Sequence, residues 1–387
     1  MRQRRETPQS VYIHIPFCTN KCHYCDFNSY VLKGQPVDAY LDALEREMEA
    51  TVASVPPEVI STIFVGGGTP TVLTPPQMTR LLQMIQRYFP QRQDHYEFTM
   101  EANPGTTNED LLHVMREGGV NRLSLGVQSF DSKHLSAIGR IHSVEDVERS
   151  IEQARSANFS NLSIDLMFGL PNQTLAELNE SLRRALALQL PHYSIYGLKI
   201  EEHTLFHTLY ERGELPLPTE ELEVEMFHSI MEQMSIAGLR QYEISNFARE
   251  GLESKHNSAY WLNYSYYGLG AGAHGYVRGI RHLNHKGIQA YIDATVHGLP
   301  QVERVEVTEA VAMEDFMMVG LRILSGVDRR AFALQFDANL EDTFGHIIHR
   351  LMRDGMLVLT EHGYRLSKQG ILLGNEVFAS FIQAIEL

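Results

Sequence analysis

The chain contains little cysteine, little tryptophan and no long apolar segment. Its 387 residues include three cysteines and one tryptophan. Three cysteines are too few for a disulfide scaffold, and this scarcity fits a protein of the reducing cytoplasm. No run of about 18 uncharged apolar residues occurs, so we expect no membrane-spanning helix. Peripheral contact with the inner face of a membrane stays open.

Basic residues are scarce as well. The chain has 33 lysines and arginines against 48 aspartates and glutamates, a net charge of −15. Because such a surface does not attract a phosphate backbone, we expect no nucleic-acid partner. The 43% hydrophobic and 21% charged residues are typical of a globular protein with a sizeable core. The length predicts two or three domains.

What the first two hundred residues do contain is a regular alternation of short apolar strands and amphipathic helices. The predicted strands are Ser10–Phe17, Thr62–Gly66, Glu97–Glu101, Arg122–Gln128, Leu162–Phe168 and Tyr193–Ile200. The predicted helices are Val37–Val52, Pro75–Tyr88, Asn108–Glu117, Ser143–Ala157 and Thr174–Leu188. Six successive β/α units predict an α/β fold with a parallel sheet and right-handed crossovers. The sheet is either open and doubly wound or a full or partial barrel.

Chemically useful residues follow the carboxyl ends of these strands. The cysteine loop follows the first strand, Gly66–Pro70 the second, Glu101–Pro104 the third and Gln128–Phe130 the fourth, while Asp165 lies in the fifth. In either architecture the active site is at this end of the sheet. The sequence therefore predicts a functional site there.

The β/α rhythm ends on a helix predicted over Thr219–Gly238. An irregular stretch rich in histidine and aromatic residues follows, and the tail combines helices with a hairpin whose turn is Glu361–Gly363. We predict a barrel over residues 1–240, a His- and aromatic-rich extension over 241–305 and a helical, winged-helix-like domain over 306–387. Winged helices often bind DNA, but the acidic composition favours packing against the barrel or a partner.

The three cysteines lie within eight positions, as Cys18, Cys22 and Cys25. Three thiolates on one loop would hold three irons of a 4Fe-4S cluster and leave the fourth iron open to a ligand from outside the protein. The alternative is a zinc site completed by His14 or His23, although zinc sites usually show two paired spacings. The spacing favours the iron–sulfur interpretation.

Tyr12–Phe27, including the cysteine triplet, resembles the signature of the radical S-adenosylmethionine (SAM) superfamily. The likeness extends over nearly the whole chain and includes Gly66–Pro70, Arg122–Phe130, Asp165–Pro171 and Tyr242–Ala248. It implies a partial six-stranded (β/α) barrel with a C-terminal helical, winged-helix-like domain. It also implies a 4Fe-4S cluster bound by Cys18, Cys22 and Cys25, with SAM on its open iron.

The resemblance also implies roles for the residues around the cysteines. Gly67, Gly68 and Thr69 would approach the amino acid part of SAM with bare backbone, and Glu101 would pair with its amino group. The remaining expected SAM contacts match polar or aromatic positions of the family: Tyr12, Tyr24, Gln128, Arg140 and Asp165. Lys199, at the end of the sixth strand, is a further expected contact near the adenosine.

Within the superfamily, the chain resembles the branch that contains oxygen-independent coproporphyrinogen III oxidase and the HemW haem chaperones. The oxidase has a further cysteine just after the triplet, where this chain continues with Asp26, and it has a longer N-terminal lead. Residues 256–261 fit the HNxxYW motif associated with HemW. Neutral histidine is a common ligand of haem iron, so His256 is the expected haem ligand and His274 a second candidate.

Two functions follow from the resemblance. The first is a haem chaperone that holds a cluster, SAM and haem and delivers haem to membrane or respiratory haemoproteins. It would act in the cytoplasm, as a homodimer and in peripheral contact with the membrane. The alternative is a radical SAM enzyme that oxidatively decarboxylates a porphyrinogen. Whether the chain is an enzyme is left open, and the residues after Cys25 disfavour the oxidase activity.

Overall fold

A computed structural model describes residues 7–385, and strands and helices alternate through its first half. The strands of this part are Ser10–Ile15 (β1), Phe17–Cys18 (β2), Tyr30–Val31 (β3), Ile60–Gly67 (β4), Arg92–Ala102 (β5), Arg122–Gln128 (β6), Asn161–Phe168 (β7) and His192–Gly197 (β8). The helices are Val37–Ser54 (α1), Pro75–Tyr88 (α2), Glu109–Glu117 (α3), Ser132–Ala137 (α4), Val144–Ser156 (α5), Leu175–Ala187 (α6), Leu205–Glu211 (α7) and Glu220–Ile236 (α8).

Six of these strands form the predicted parallel core. They lie in the order β1-β4-β5-β6-β7-β8, each parallel to its neighbours. Alternate side chains of β1 such as Val11, Ile13 and Ile15 are fully buried in the main hydrophobic core, as a strand covered by helices requires. The edge strands of the sheet do not pair with each other, so the barrel is partial, as predicted.

Helix caps fix where several of the crossover helices begin. Thr74 and Gln77 form a reciprocal capping box at α2, and Pro75 occupies its first position. Ser143 and Asp146 form the same box at α5. Each box satisfies two backbone N–H groups that the first helical turn leaves unpaired. The sequence prediction of these two helix starts is confirmed.

The region after α8 extends the barrel sheet at both edges. Its elements are Arg240–Gln241 (β9), Asn246–Ala248 (β10), Lys255–Trp261 (α9), Tyr266–Leu269 (β11), His274–Val277 (β12), Ile280–Asn284 (β13), Ile288–Ala294 (α10) and Gln301–Glu306 (β14). Strand β10 pairs with β8, and β11 pairs in parallel with β1 and leads through β12 and β13 to β14. Over residues 7–385 the sheet therefore has twelve strands. The boundary at residue 240 stays a prediction, and the strands beyond it are hydrogen-bonded into the barrel sheet.

The C-terminal part has a separate hydrophobic core. Its elements are Glu309–Gly320 (α11), Val327–Asp328 (β15), Arg329–Phe336 (α12), Leu340–Arg353 (α13), Leu357–Leu359 (β16), Gly363–Leu366 (β17), Lys368–Leu372 (α14) and Gly374–Ala379 (α15). A three-stranded sheet in the order β15-β17-β16 joins helices whose phenylalanines pack edge to face. This element order is that of a winged helix, as the sequence predicts. Within residues 7–385, no helix is both long and apolar enough to cross a bilayer.

Helix α9 joins the barrel to this C-terminal part. The Arg322 guanidinium lies over the Trp261 ring, 4.3 Å from its centroid, and pairs with the fully buried Glu243 at 3.7 Å. A cation over an aromatic face and a buried ion pair both depend on close packing. The only tryptophan of the sequence therefore has a packing role at the junction.

A buried carboxylate attaches the extension to α1. The Glu47 carboxylate accepts hydrogen bonds from Gly270 N at 2.7 Å, Asn284 Nδ2 at 2.6 Å and the Tyr291 hydroxyl. Burial raises the pKa of Glu47 to about 7, although these three donors oppose the increase. The extension is thus attached through a group that titrates near neutral pH.

The folded pKa of Glu47 lies above the unfolded value, so the folded state retains its proton at pH values where the unfolded state has lost it. We therefore expect the free energy of unfolding to fall as the pH rises from about 4.5 to about 7, by on the order of 3 kcal/mol. Urea unfolding of wild type and Glu47→Gln across this range measures the difference. If the difference in free energy of unfolding between the two proteins does not change with pH, the raised pKa assigned to Glu47 is wrong.

Candidate cofactor site

The three cysteines lie together at the carboxyl end of the barrel. Cys18 ends β2, and Cys22 and Cys25 belong to one turn, in which Cys25 N donates to Cys22 O at 3.3 Å. All three are free thiols of intermediate exposure. Burial raises the pKa of Cys18 and of Cys22, so these thiols favour the protonated form until a metal replaces the proton.

One cavity is lined by the three thiols and by the other predicted site residues. Tyr12, Lys199 and the haem candidates are the exceptions. We call this cavity the cysteine cavity. The predicted residues in its wall are Cys18, Cys22, Tyr24, Cys25, Gly67, Gly68, Thr69, Glu101, Gln128, Arg140 and Asp165. They come from five different β/α units, as expected for a site at the carboxyl ends of parallel strands.

His14 is not free to complete a zinc site with the cysteines, because both of its ring nitrogens are engaged. The Tyr12 hydroxyl and the Asn28 carbonyl each lie at 2.8 Å from them. His23, the other histidine considered for such a site, has Nδ1 at 3.0 Å from the Ala137 carbonyl oxygen. Within residues 7–385, the three cysteine sulfurs do not form a set lying within 4.8 Å of one another, whereas ligand atoms of Asp131, His134 and Glu177 do.

Glycines allow the end of β4 to lie against β1 and β2, the strands that lead to Cys18. Gly67 has a φ of +100°, and a Cβ there would overlap the His14 imidazole. A Cβ on Gly68 would lie 2.6 Å from the carbonyl oxygens of both Ile15 and Phe17. Only glycine fits at either position. The backbone beside the cysteines is therefore bare, as the approach of a ligand requires.

A chain of hydrogen bonds connects a cysteine to a partly buried arginine. The Thr69 hydroxyl donates to Cys18 Sγ at 3.6 Å, and Asn103 Nδ2 donates to Thr69 Oγ1 at 2.7 Å. Arg140 donates to Asn103 Oδ1 at 2.7 Å and to the Tyr24 hydroxyl at 2.9 Å. Its Nε is buried and has no hydrogen-bond partner among the described residues. The network holds a guanidinium, suited to a carboxylate, in the cavity wall.

Two partly buried carboxylates face this cavity. Glu101 Oε2 accepts from Gly67 N at 2.9 Å, and Asp165 Oδ1 accepts from the Ser124 hydroxyl at 3.2 Å. Burial raises the pKa of Glu101 to about 7 and also raises the pKa of Asp165, while the nearby Arg122 guanidinium opposes both shifts. Because burial of the charged forms is unfavourable, a cationic or hydrogen-bond-donating ligand would stabilise both carboxylates.

A backbone irregularity brings Gln128 into the same wall. The pairing of β6 with β7 shifts between Gly126 and Gln128, and Gln128 has a φ of +68°, which is uncommon for a residue with a side chain. Its amide oxygen accepts from the Tyr196 hydroxyl at 2.9 Å. Strained backbone of this kind is concentrated at functional sites.

Two residues expected at the site lie outside the cysteine cavity. The Tyr12 ring stacks on Phe64 with centroids 6.2 Å apart, and Tyr12 lines a neighbouring cavity. The Lys199 side chain is 78% exposed and pairs with Glu201 at 2.5 Å. Lys199 is not in the wall of the cysteine cavity, and its expected contact with the ligand stays a prediction.

His256 is buried inside the barrel sheet. Its Nδ1 pairs with Thr62 Oγ1 at 2.9 Å, its Nε2 with the Tyr260 hydroxyl at 2.8 Å, and its ring stacks on Phe64. The backbone N–H of His256 donates to Glu97, and burial lowers the pKa of the imidazole to about 3. Both ring nitrogens of His256 are therefore engaged within the protein, and its role as haem ligand stays a prediction.

Sequence reasoning missed two residues that the geometry makes central. Asn103 bridges Thr69 and Arg140. Its position at the carboxyl end of the third strand could have identified it, because the predicted site lies at that end of the sheet. Gly126 lies in the cavity wall, where a Cβ would come within 2.8 Å of Asn103 Oδ1 and 3.2 Å of an Arg140 nitrogen. Its role depends on these two distant residues, so it could not be read from local sequence.

The crowding at Gly126 gives a direct test of the site. In Gly126→Ala the added methyl would displace Asn103 and Arg140, and we expect SAM binding to weaken by about tenfold, within the 1–3 kcal/mol typical of overpacking. Isothermal titration of SAM on the anaerobically reconstituted protein measures this change. Gly287→Ala is the matched control, since its Cβ would meet no atom closer than 3.8 Å. Equal affinities of the two variants would contradict this assignment.

Comparison with known families agrees with this arrangement. Residues 12–185 match the family model described as the Radical SAM superfamily, and residues 307–373 match the HemN C-terminal domain. The solved structure of coproporphyrinogen III oxidase (HemN) from Escherichia coli is similar, with a TM-score of 0.86 at 24% identity. The match covers 98% of this chain and 91% of the oxidase. The structural likeness establishes the shared fold.

Similarity to curated proteins is higher and also extends over nearly the whole chain. The protein named heme chaperone HemW of Bacillus subtilis (strain 168) is 46% identical, over 97% of this chain and 99% of the relative. HemW of Escherichia coli (strain K12) is 35% identical, over 97% and 98% of the two chains. With the cysteine loop, the partial barrel and the C-terminal unit in place, the chain belongs to the HemW family of the radical SAM superfamily.

Proposed function

We propose that the protein is a haem chaperone that holds a 4Fe-4S cluster and SAM, binds haem and passes it to haemoproteins. The observation that carries this proposal is similarity over nearly the full length to proteins named heme chaperone HemW. The cysteine cavity supports the cofactor part, because it unites three thiols with bare backbone and buried polar groups.

In this proposal Cys18, Cys22 and Cys25 ligate the cluster, and the adjoining backbone of Gly67 and Gly68 faces the amino acid part of SAM. When bound, the cluster and SAM supply one-electron chemistry. The protein supplies thiolate ligands, a fixed loop and a hydrogen bond from Thr69 to Cys18 Sγ. Hydrogen bonds to ligand sulfur tune the electron affinity of a cluster.

The remaining polar groups of the cavity would orient SAM. Glu101 would accept a hydrogen bond from the SAM amino group, and Arg140 would donate to its carboxylate. Gln128 and Asp165 are placed for the ribose hydroxyls, while Tyr24 holds the Arg140 guanidinium in position. Gln128 is buried and the other four side chains are partly buried, so a bound ligand would satisfy hydrogen-bonding capacity that the protein alone leaves unused.

Two features of the sequence favour the chaperone over porphyrinogen decarboxylation. The oxidase has a further cysteine just after the triplet, whereas this chain continues with Asp26, Phe27 and Asn28, and the HNxxYW motif of the HemW branch is present. The proposal therefore assigns the cluster to structure, dimerisation or control of haem transfer. The proposed recipients are membrane-bound respiratory haemoproteins, reached from the cytoplasm by a homodimer in peripheral contact with the membrane.

Anaerobic reconstitution with iron and sulfide, followed by separate additions of haem and of coproporphyrinogen III with SAM and a low-potential reductant, tests this proposal. We expect about one haem per chain by absorbance and no formation of protoporphyrinogen, because haem is the cargo and the oxidase activity is absent. Steady formation of protoporphyrinogen would instead support the decarboxylase.

The ligand assignment has its own test. Cys22→Ser is expected to abolish the broad iron–sulfur absorbance, since two thiolates would then remain for the cluster. Far-UV circular dichroism checks that the variant is folded. Retention of the absorbance in folded Cys22→Ser would show that the cluster has other ligands.

A further inference from the structure

A second cavity adjoins the cysteine loop on the side of the extension. It has a volume of about 610 Å³, within the range of small-molecule and cofactor sites. We call it the His274 cavity, and its lining includes Lys21, Phe27, Tyr260, Tyr266, His274 and Lys286. Phe27 lies in the walls of both cavities and is 66% exposed, so its ring is accessible to a ligand in either cavity.

His274 presents an available imidazole to this cavity. It is exposed, and its ring makes no hydrogen bond to any residue in the range 7–385. Its backbone is fixed, because His274 begins β12 and pairs with Leu283 of β13. The other histidine of the lining, His14, has both nitrogens engaged. A rigidly held neutral imidazole is a common ligand of haem iron.

The remaining lining suits the rest of a haem molecule. Two tyrosines, Tyr260 and Tyr266, pack edge to face with centroids 4.7 Å apart and offer aromatic surface for the porphyrin. Lys21 and Lys286 supply two ammonium groups at the cavity, matching in number the two propionates of haem. Lys21 Nζ is held by the Phe27 carbonyl at 2.8 Å and the Ser29 hydroxyl at 2.9 Å.

Other histidines of the extension are less suited to bind iron. His256 has both nitrogens engaged and is fully buried. His282 lines a different cavity, is 9% exposed and has Nε2 at 3.3 Å from the Gly268 carbonyl oxygen. The exposure and orientation of His274 next to the cluster loop distinguish it from both.

We propose that haem binds in the His274 cavity with His274 as the iron ligand and with Lys21 and Lys286 pairing with the propionates. This inference rests on the proposed function. It places haem against Phe27, at the border with the cysteine cavity. In this arrangement His274 would hold the iron, and His14, with both ring nitrogens engaged, would not.

Titration of the full-length, anaerobically reconstituted protein with ferric haem tests the site. Wild type should give a five-coordinate, high-spin histidine spectrum. His274→Ala should lose it, with affinity at least about tenfold weaker, and added imidazole should restore the spectrum. Lys286→Ala should weaken binding by about fivefold or less without changing the iron coordination. The matched control is His297→Ala, an exposed histidine outside this lining.

These outcomes distinguish failure of the chaperone function from failure of the His274 site. Absence of stoichiometric haem binding by wild type would contradict the chaperone function itself. Stoichiometric binding with an unchanged spectrum in His274→Ala would overturn the His274 site alone. Loss of the spectrum in folded His256→Ala or His282→Ala, with His274→Ala unaffected, would move the ligand to that residue and likewise overturn the inference.

Discussion

The cofactor site depends on main-chain hydrogen bonds between residues 15–17, which lead to Cys18, and residues 68–69, which follow β4. Gly68 N donates to Ile15 O at 2.9 Å and Thr69 N to Phe17 O at 2.7 Å, which prolongs the β1–β4 ladder to the first cysteine. This approach is possible because glycine occupies positions 67 and 68. The same contact places Thr69 against Cys18 and starts the network that ends at Arg140. Sheet pairing thus positions the thiols, the bare backbone and the guanidinium together.

The barrel interior encloses charges that compensate one another. Glu101 and Asp165 are partly buried carboxylates, and the buried Arg122 guanidinium opposes the effect of burial on the pKa of both. Buried charges are tolerated when they are paired and hydrogen-bonded. Towards the amino ends of the strands, α9 closes the interior, where the backbone of His256 donates to Glu97. The HNxxYW motif therefore contributes to the structure of the barrel and to its junction with the C-terminal part.

Local sequence pattern was sufficient for the core of the fold. Strand β6 and helix α2 have the predicted bounds, because each combines strong periodicity with clear end signals such as Thr74 and Pro75. The cysteine cavity could be predicted because strand ends converge in any parallel sheet. His256 could not be placed, since its partners Thr62 and Glu97 lie more than 150 positions away. The extension strands were missed for a similar reason: they are short and irregular, and their pairing with β1 and β8 is long-range.

The central claim is that the protein transfers haem by direct contact with a recipient, from a site beside its cluster loop. The most direct measurement is the rate of haem loss from the loaded protein to membrane vesicles from haem-deficient cells, compared with loss to apomyoglobin as a passive acceptor. Direct transfer predicts a rate that rises with vesicle concentration and exceeds the rate of passive release. A rate that is independent of the acceptor and equal to passive release would contradict the chaperone account.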